Sequence, residues 1–311
     1  MDNEKLGLNR YKINLYRMNK TDIAVLMTCH NRRDKTLRSL TALFSQELFP
    51  GVAVQVYLLD DGSTDGTAET ILSTYPQVKI FQGNGSMFWN GGMRLVFAEA
   101  MKMERDYYLW LNDDTELYPQ ALNILLASHR QLSNQGYKET ILVGAIQEPK
   151  TGEISHGGIC RTSLWHPLKF GLVDPGDTLK PCDTMNGNCV LIPGSVAKLV
   201  GNLDPAFTHG IGDFDYGLRA RQQGCTIWVC PGYLGVCARN LLDESWMDPE
   251  VSLLERWKKV QQPKGLPPKE WKVFVKRHGG SLWFIYWMFT YLRLLIAPQI
   301  KKRTRGVKVL K

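Results

Sequence analysis

VAVQVYLLDDGSTDGT (Val52–Thr67) is the stretch from which the architecture of this chain can be read. Its first nine residues, mostly branched or aromatic, read as a buried strand, Val52–Asp60. Two carboxylates and a Gly/Ser/Thr turn close the strand, and a helix opens near Asp65-Gly66-Thr67. The same unit recurs on either side. Upstream, IAVLMT (Ile23–Thr28) reads as a strand followed by a helix over Asp34–Gln46. Downstream, VKIF (Val78–Phe81) precedes a helix from about Gly91 to Lys102, and YYLWL (Tyr107–Leu111) precedes a helix with Pro119 at its first position. ILVGAI (Ile141–Ile146) adds a fifth strand. Such alternation predicts an α/β fold with a mostly parallel sheet and helices on both faces.

Beyond that body the signals weaken. Gln147–Pro181, rich in Gly, Pro and Thr, reads as a hairpin-and-loop insertion suited to a variable substrate pocket. NCVLIP (Asn188–Pro193), helices over Ser195–Val200 and Phe214–Gln223, and the strand TIWVC (Thr226–Cys230) complete the body. After Trp246 a basic linker with Pro263, Pro267 and Pro268 leads to KRHGGSLWFIYWMFTYLRLLIAPQIKKRTR (Lys276–Arg305). Its apolar core, Leu282–Ala297, is shorter than the ~20 residues of a spanning helix. Trp283, Tyr286, Trp287 and Tyr291, flanked by basic residues, suit a helix lying in a bilayer interface; the other reading is a helix packed on the body. The expected organisation is an N-terminal extension (1–20), an α/β domain (21–240) and a basic linker with a membrane-surface helical segment (241–311).

Charge supports that division. Of the net +8, the stretch from Glu255 onward holds fifteen Lys/Arg against two Glu, leaving the first 254 residues at about −5. A basic tail with an aromatic core suits an anionic lipid surface better than nucleic acid. The seven cysteines form no CxxC pair, and the first twenty residues hold no hydrophobic signal core. Reduced thiols and a cytoplasmic protein, peripheral at the inner face of the plasma membrane, are expected.

Ligands of open parallel sheets bind beyond the carboxyl ends of the strands, where Asp60 and Asp61 would project. A carboxylate there accepts from a pyrimidine N–H or a ribose hydroxyl, or simply closes a turn. YYLWLNDDTEL (Tyr107–Leu117) ends a second strand in paired acids, Asp113 and Asp114. Adjacent acids call for a cation, and magnesium or manganese takes such ligands together with substrate phosphates. In HGIGDFDYGLRARQQG (His209–Gly224), Asp213 and Asp215 cannot share a helix face; one can face a site as general base while the other caps or pairs with Arg219. Trp89 suits either a sugar- or base-stacking platform or a core anchor. Gly91-Gly92 suit a phosphate approach or a helix starting against the sheet. Asn186-Gly187-Asn188 suit a turn or a hydroxyl contact; His209 is a better candidate than His156 or His166.

VLMTCHNR (Val25–Arg32), LLDDGSTDGT, LNDDTEL and GDFDYGLRARQQG, in that order, resemble the family 2 glycosyltransferases with the GT-A fold over roughly Asp22–Asn240. Gly83–Ala100 and Met185–Phe207 resemble the rhamnosyltransferase-like branch that assembles bacterial surface polysaccharides. The resemblance implies inverting transfer from a nucleotide-sugar, dTDP-rhamnose or a UDP-sugar, to a saccharide or lipid-linked saccharide acceptor, with a divalent metal (Mg or Mn). It places Thr28, His30 and Arg32 in the nucleotide pocket, Asp61 on the base with Asp60 supporting the turn, Asp113 on the ribose, Asp114 on the metal and Asp213 as catalytic base. Two positions depart from the family pattern: Asn112 is neutral where an acid is common, and Cys237 stands where many relatives have a histidine ligand. These keep a catalytically weak nucleotide-sugar-binding subunit in view. A sugar-1-phosphate nucleotidyltransferase would want a glycine-rich loop after the first strand, and TCHNRRDKT (Thr28–Thr36) has no glycine. No GxGxxG follows that strand either, which disfavours a nicotinamide dehydrogenase.

Overall fold

A computed structural model describes residues 21–238, 246, 248 and 251–296. The expected N-terminal extension, the 240/241 boundary and the basic tail beyond 296 lie outside the described residues. The strands are β1 (Thr21–Cys29), β2 (Val52–Asp60), β3 (Lys79–Gln82), β4 (Tyr107–Leu111), β5 (Glu116–Leu117), β6 (Thr140–Gln147), β7 (Ile154–His156), β8 (Gly158–Arg161), β9 (Phe170–Leu172), β10 (Lys180–Pro181), β11 (Thr184–Met185), β12 (Cys189–Pro193) and β13 (Thr226–Val236). The helices, numbered here from the first described, are α1 (Arg33–Phe44), α2 (Thr67–Thr74), α3 (Phe88–Met101), α4 (Ala121–Asn134), α5 (Gly194–Val200), α6 (Gly212–Gln222), α7 (Leu253–Gln261), α8 (Pro268–His278) and α9 (Trp283–Ile296).

The main sheet runs β3-β2-β1-β4-β12-β6-β13-β10. β1 is parallel to β2 and β4, and β13 is parallel to β6. The pleat sorts β1 onto two cores: Ala24 and Leu26 face one cluster with Met93, Phe97 and Tyr216, while Ile23, Val25 and Met27 face a second with Leu40, Leu43 and Leu125. Both faces are therefore covered by helices, which is why these strands read as unbroken hydrophobic runs.

Four elements differ from the sequence reading. NCVLIP does not extend the parallel series; β12 enters antiparallel between β4 and β6, a pairing that periodicity cannot disclose. TIWVC continues to Val236, with its register to β6 shifting between Val229 and Tyr233, and its far end pairs β5. Helix α3 starts at Phe88 rather than Gly91, because the Asp61 carboxylate accepts from the backbone N–H groups of Met87 and Phe88 (both 2.9 Å). A cap supplied from 27 residues away leaves no local signature. The helix expected to begin at Pro119 begins at Ala121.

The carboxyl-terminal helices pack on the body. Phe274 and Val275 of α8 join Phe207 and Leu218, with Trp271, Trp283 and Trp287 partly buried against them. The join is also ionic. Asp215 in α6, 0% exposed, accepts from Arg219 Nε (2.8 Å), Arg277 Nη1 and His278 Nε2 (2.9 Å). Burial works against the charged form. The bonds from His278 and Arg219 and the charges of Arg219 and Arg277 nevertheless hold the carboxyl below its ordinary pKa. Removing one partner of such a buried group costs several kcal/mol. Asp215→Ala is expected to lower the unfolding free energy by about 3–5 kcal/mol in urea titrations of the full chain. A loss within 1 kcal/mol would show that the cluster does not hold α8 to the body.

Candidate functional site

Beyond the carboxyl ends of β1, β2 and β4 lies a crevice of two adjoining chambers. The smaller, about 280 Å³, is lined by Thr28, His30, Asp61 and Phe88 among others. The larger, about 660 Å³, is lined by Asn112, Asp114, Asn186, Asp213 and Cys237 among others. Arg32, Trp89, Asp113, His209 and Lys264 line both. A roomier cleft of about 770 Å³ opens at the opposite edge, by Thr21 and Tyr107, where the parallel strands begin. Open sheets of this kind bind at the carboxyl ends, so the two-chambered crevice is the candidate site.

Asp60 and Asp61 divide the turn after β2 between them. Asp60 is buried and accepts from Ser63 N (3.0 Å), supporting the turn. Asp61 accepts from Gly85 N (2.8 Å) at Oδ1 and from Met87 N and Phe88 N at Oδ2, drawing the loop after β3 over the smaller chamber. Its Oδ1 keeps one acceptor position open. His30 donates Nδ1–H to the Asp61 carbonyl (2.6 Å), which leaves Nε2 as its acceptor nitrogen.

The turn Asn112-Asp113-Asp114 is built by its neighbours. Ser39 of α1 donates to the Thr115 carbonyl (2.8 Å), and Asn112 N donates to the Asn188 carbonyl (3.1 Å). One nitrogen of Arg32, Nη1, reaches Asp113 Oδ1 (3.1 Å) and Asp114 Oδ2 (2.8 Å). Burial pushes the Asp113 carboxyl up to about 6 even though the Arg32 charge pulls it down. Asn112 Oδ1 accepts from Trp89 Nε1 (2.7 Å), an interaction that a neutral side chain makes without adding a third negative charge. Cys237 does reach the turn, its Sγ 3.4 Å from Asp114 Oδ1. Burial, reinforced by the Asp114 charge, pushes that thiol up to about 12, so it is a protonated donor.

Asp213 and Asp215 take the two separate fates open to them. Asp215 is locked into the ionic cluster, whereas Asp213 lines the larger chamber at the start of α6. Its oxygens accept from Gly187 N and Phe214 N (both 2.9 Å), which fixes its direction, and burial raises its pKa to about 6. Burial, with Lys264 and Arg32 close by, pulls His209 down to about 4, so it is neutral at pH 7. His156 lines the larger chamber, while His166 packs on the Tyr286 ring (4.6 Å) outside the crevice.

Trp89 forms a wall common to both chambers, its edge on Trp110 (5.9 Å between ring centroids). Gly187 lies flat against that indole, with no room for a Cβ. Gly92 is a correction. It lines neither chamber, and a Cβ there would run into Thr28 and Leu59 (2.8 Å to Leu59 Cδ2). The position lets α3 pack on the sheet instead of bringing backbone to a phosphate. Thr28 supplies the sheet side of that contact as well as a wall of the smaller chamber.

Sequence reasoning missed Phe88, Ile211 and Lys264. Phe88 and Ile211 have φ of 53° and 57°, and the only other described non-glycine residue with positive φ is Asn31 (50°), next to His30. Each costs of order 1–3 kcal/mol, and such strain collects at sites held by the surrounding fold. No residue type marked these positions, since phenylalanine and isoleucine are poor left-handed formers.

A divalent metal finds limited support in this donor set. No group of three or more His, Cys, Asp or Glu is arranged around a common point among the described residues. Asp114 is the one turn carboxylate lining only the larger chamber, and both its oxygens have partners. These residues form no closed cage, and a hard cation here would take Asp114 as its protein ligand and draw most of its oxygens from a bound diphosphate.

Residues 24–151 match the model of the family Glycosyl transferase family 2. N-acetylglucosaminyl-diphospho-decaprenol L-rhamnosyltransferase of Mycobacterium tuberculosis, in strains CDC 1551 / Oshkosh and ATCC 25618 / H37Rv, is 22% identical over 193 residues. That stretch is 55% of this chain and 62% of the relative, so the match spans less than two thirds of the relative's length. The crystal structure of S. aureus TarS 1-349 superposes with a TM-score of 0.52 at 13% identity, covering 88% of this chain and 73% of that one. The fold is GT-A, with its mostly parallel sheet between two helical layers.

Proposed function

We propose that this chain moves a sugar from a nucleoside-diphosphate sugar to a hydroxyl of a saccharide acceptor, with inversion at the anomeric carbon. The observation that carries the reading is the convergence of two acidic strand ends, Asp61 and Asp113-Asp114, with the separately held Asp213 around one crevice. The nucleoside belongs in the smaller chamber. There the open position on Asp61 Oδ1 takes a base N–H, and Thr28, His30 and Arg32 line the walls. Asp113 Oδ2 has no partner among the described residues and takes a ribose hydroxyl. Trp89, between the chambers, offers a face to the sugar.

In the larger chamber Asp213 accepts the proton of the acceptor hydroxyl. That oxygen attacks the anomeric carbon, the bond from carbon to the β-phosphate oxygen breaks, and the nucleoside diphosphate departs with the electron pair. A single displacement inverts the centre and needs no covalent enzyme intermediate. A magnesium or manganese ion bound by Asp114 and the diphosphate would supply neutralisation of the charge growing on the leaving group.

The best-supported donor is dTDP-rhamnose, from the likeness to a rhamnosyltransferase, with a UDP-sugar as the alternative. The diphospho-decaprenol in that relative's name and the apolar surface of α7 and α9 support a lipid-linked saccharide acceptor. Leu254 (67% exposed), Trp257, Phe284 and Phe289 stand outward there, beside an apolar cavity of about 510 Å³ lined by Trp287 and Tyr291. No described helix is long and apolar enough to cross a membrane, so the reading is attachment at the bilayer surface.

Asp213→Asn is expected to lower turnover by about 10²–10⁴-fold while nucleoside diphosphate affinity stays within twofold. The base must be ionised, so kcat/KM of the wild type should rise with pH through about 6 and level above it. Undiminished turnover in the variant removes Asp213 from the mechanism. For the membrane claim, the chain should sediment with vesicles containing phosphatidylglycerol, and Phe284→Ser/Phe289→Ser should weaken this at least about fivefold. Equal sedimentation of the double variant would count against attachment through α9.

A further inference from the structure

We propose that Lys264 contacts the donor diphosphate, so that the carboxyl-terminal helices complete the donor site; this rests on the glycosyl-transfer reading above. Lys264 lines both chambers, where the nucleoside and sugar ends of a donor would meet. It belongs to the loop between α7 and α8, outside the α/β body whose strand ends carry the acidic residues.

That loop is wound and braced. Gly265 N donates to the Gln262 carbonyl (2.8 Å), and Leu266 N donates to the Val260 carbonyl (3.0 Å). A Cβ on Gly265 would meet the Val260 carbonyl oxygen at 2.7 Å, so only glycine closes the turn this tightly. Tyr291 of α9 donates its hydroxyl proton to the Leu266 carbonyl (2.9 Å). Directly after the loop, Glu270 of α8 accepts from Thr208 N (3.1 Å) and Thr208 Oγ1 (2.8 Å). The Thr208 carbonyl in turn accepts from Asn90 N (3.1 Å), in the first turn of α3 beside Trp89. Loop and crevice are thus tied through two residues.

Charge then distinguishes Lys264 from an ordinary surface lysine. The crevice has one other lining Lys or Arg among the described residues, Arg32, and its Nη1 is already held between Asp113 and Asp114. Lys264 makes no ion pair or hydrogen bond among the described residues. Its charge is nonetheless felt inside the crevice, helping to keep His209 neutral. A flexible ammonium with three donors suits phosphate oxygens, including the one that takes the electron pair when the sugar leaves.

The test is calorimetry on the full chain, with dTDP and UDP against thymidine and uridine. Lys264→Ala should weaken diphosphate binding about ten- to a hundredfold and leave nucleoside binding within twofold. Lys264→Arg should retain most of the affinity. Lys258→Ala, an equal charge change on the exposed face of α7, should have no effect. Unchanged diphosphate binding in Lys264→Ala, or an equal loss for nucleosides, overturns the proposal while leaving glycosyl transfer standing. If the wild type binds neither diphosphate, the glycosyl-transfer reading fails and the proposal fails with it.

Discussion

Asp113 and Asp114 are adjacent carboxylates at the end of a strand buried on both faces, and their mutual repulsion in a poorly solvated place has to be offset. Arg32, immediately before α1, meets that need by reaching both with one nitrogen. The contact ties the end of β1 to the end of β4, so the two loops that frame the crevice share an ionic joint. Neighbouring features fit that charge balance. Asn112 adds no third negative charge and accepts from Trp89, and Cys237 stays protonated against Asp114. The nucleophilic chemistry of a thiolate is thereby closed to Cys237, and its place in the site is that of a weak hydrogen-bond donor.

A second carboxylate organises the opposite wall. Asp61 gathers three backbone N–H groups from the loop after β3, which starts α3 early and sets Phe88 in a left-handed conformation at the chamber's edge. One acidic turn therefore shapes a pocket while the other concentrates charge. The role of Asp61 as a cap does not compete with a role toward a base, because three bonds leave one acceptor position unused.

Much of this was legible in the sequence, for reasons that can be named. The β2 boundaries, the end of β4 and the separate fates of Asp213 and Asp215 follow from period, turn chemistry and helical spacing. The antiparallel entry of β12 was not legible, because five apolar residues carry no direction. Gly92 suited either a phosphate approach or a helix set against the sheet; the side chains of Thr28 and Leu59, distant in sequence, decide for the second. Lys264 lay in a basic, proline-rich stretch with no motif, and only the packing of α8 through Glu270 and Asp215 brings it to the crevice. Long-range contacts, which local pattern cannot encode, account for each of these differences.

The central claim is that the crevice beyond β1, β2 and β4 holds a nucleoside-diphosphate sugar and labilises its anomeric bond. Its most direct test is a donor-hydrolysis panel on the full chain, covering dTDP- and UDP-sugars with magnesium or manganese and read by nucleoside diphosphate release. The expected result is release from one donor class, diminished by chelation with EDTA and by Asp114→Ala. Absence of release from every donor with both metals would contradict the account.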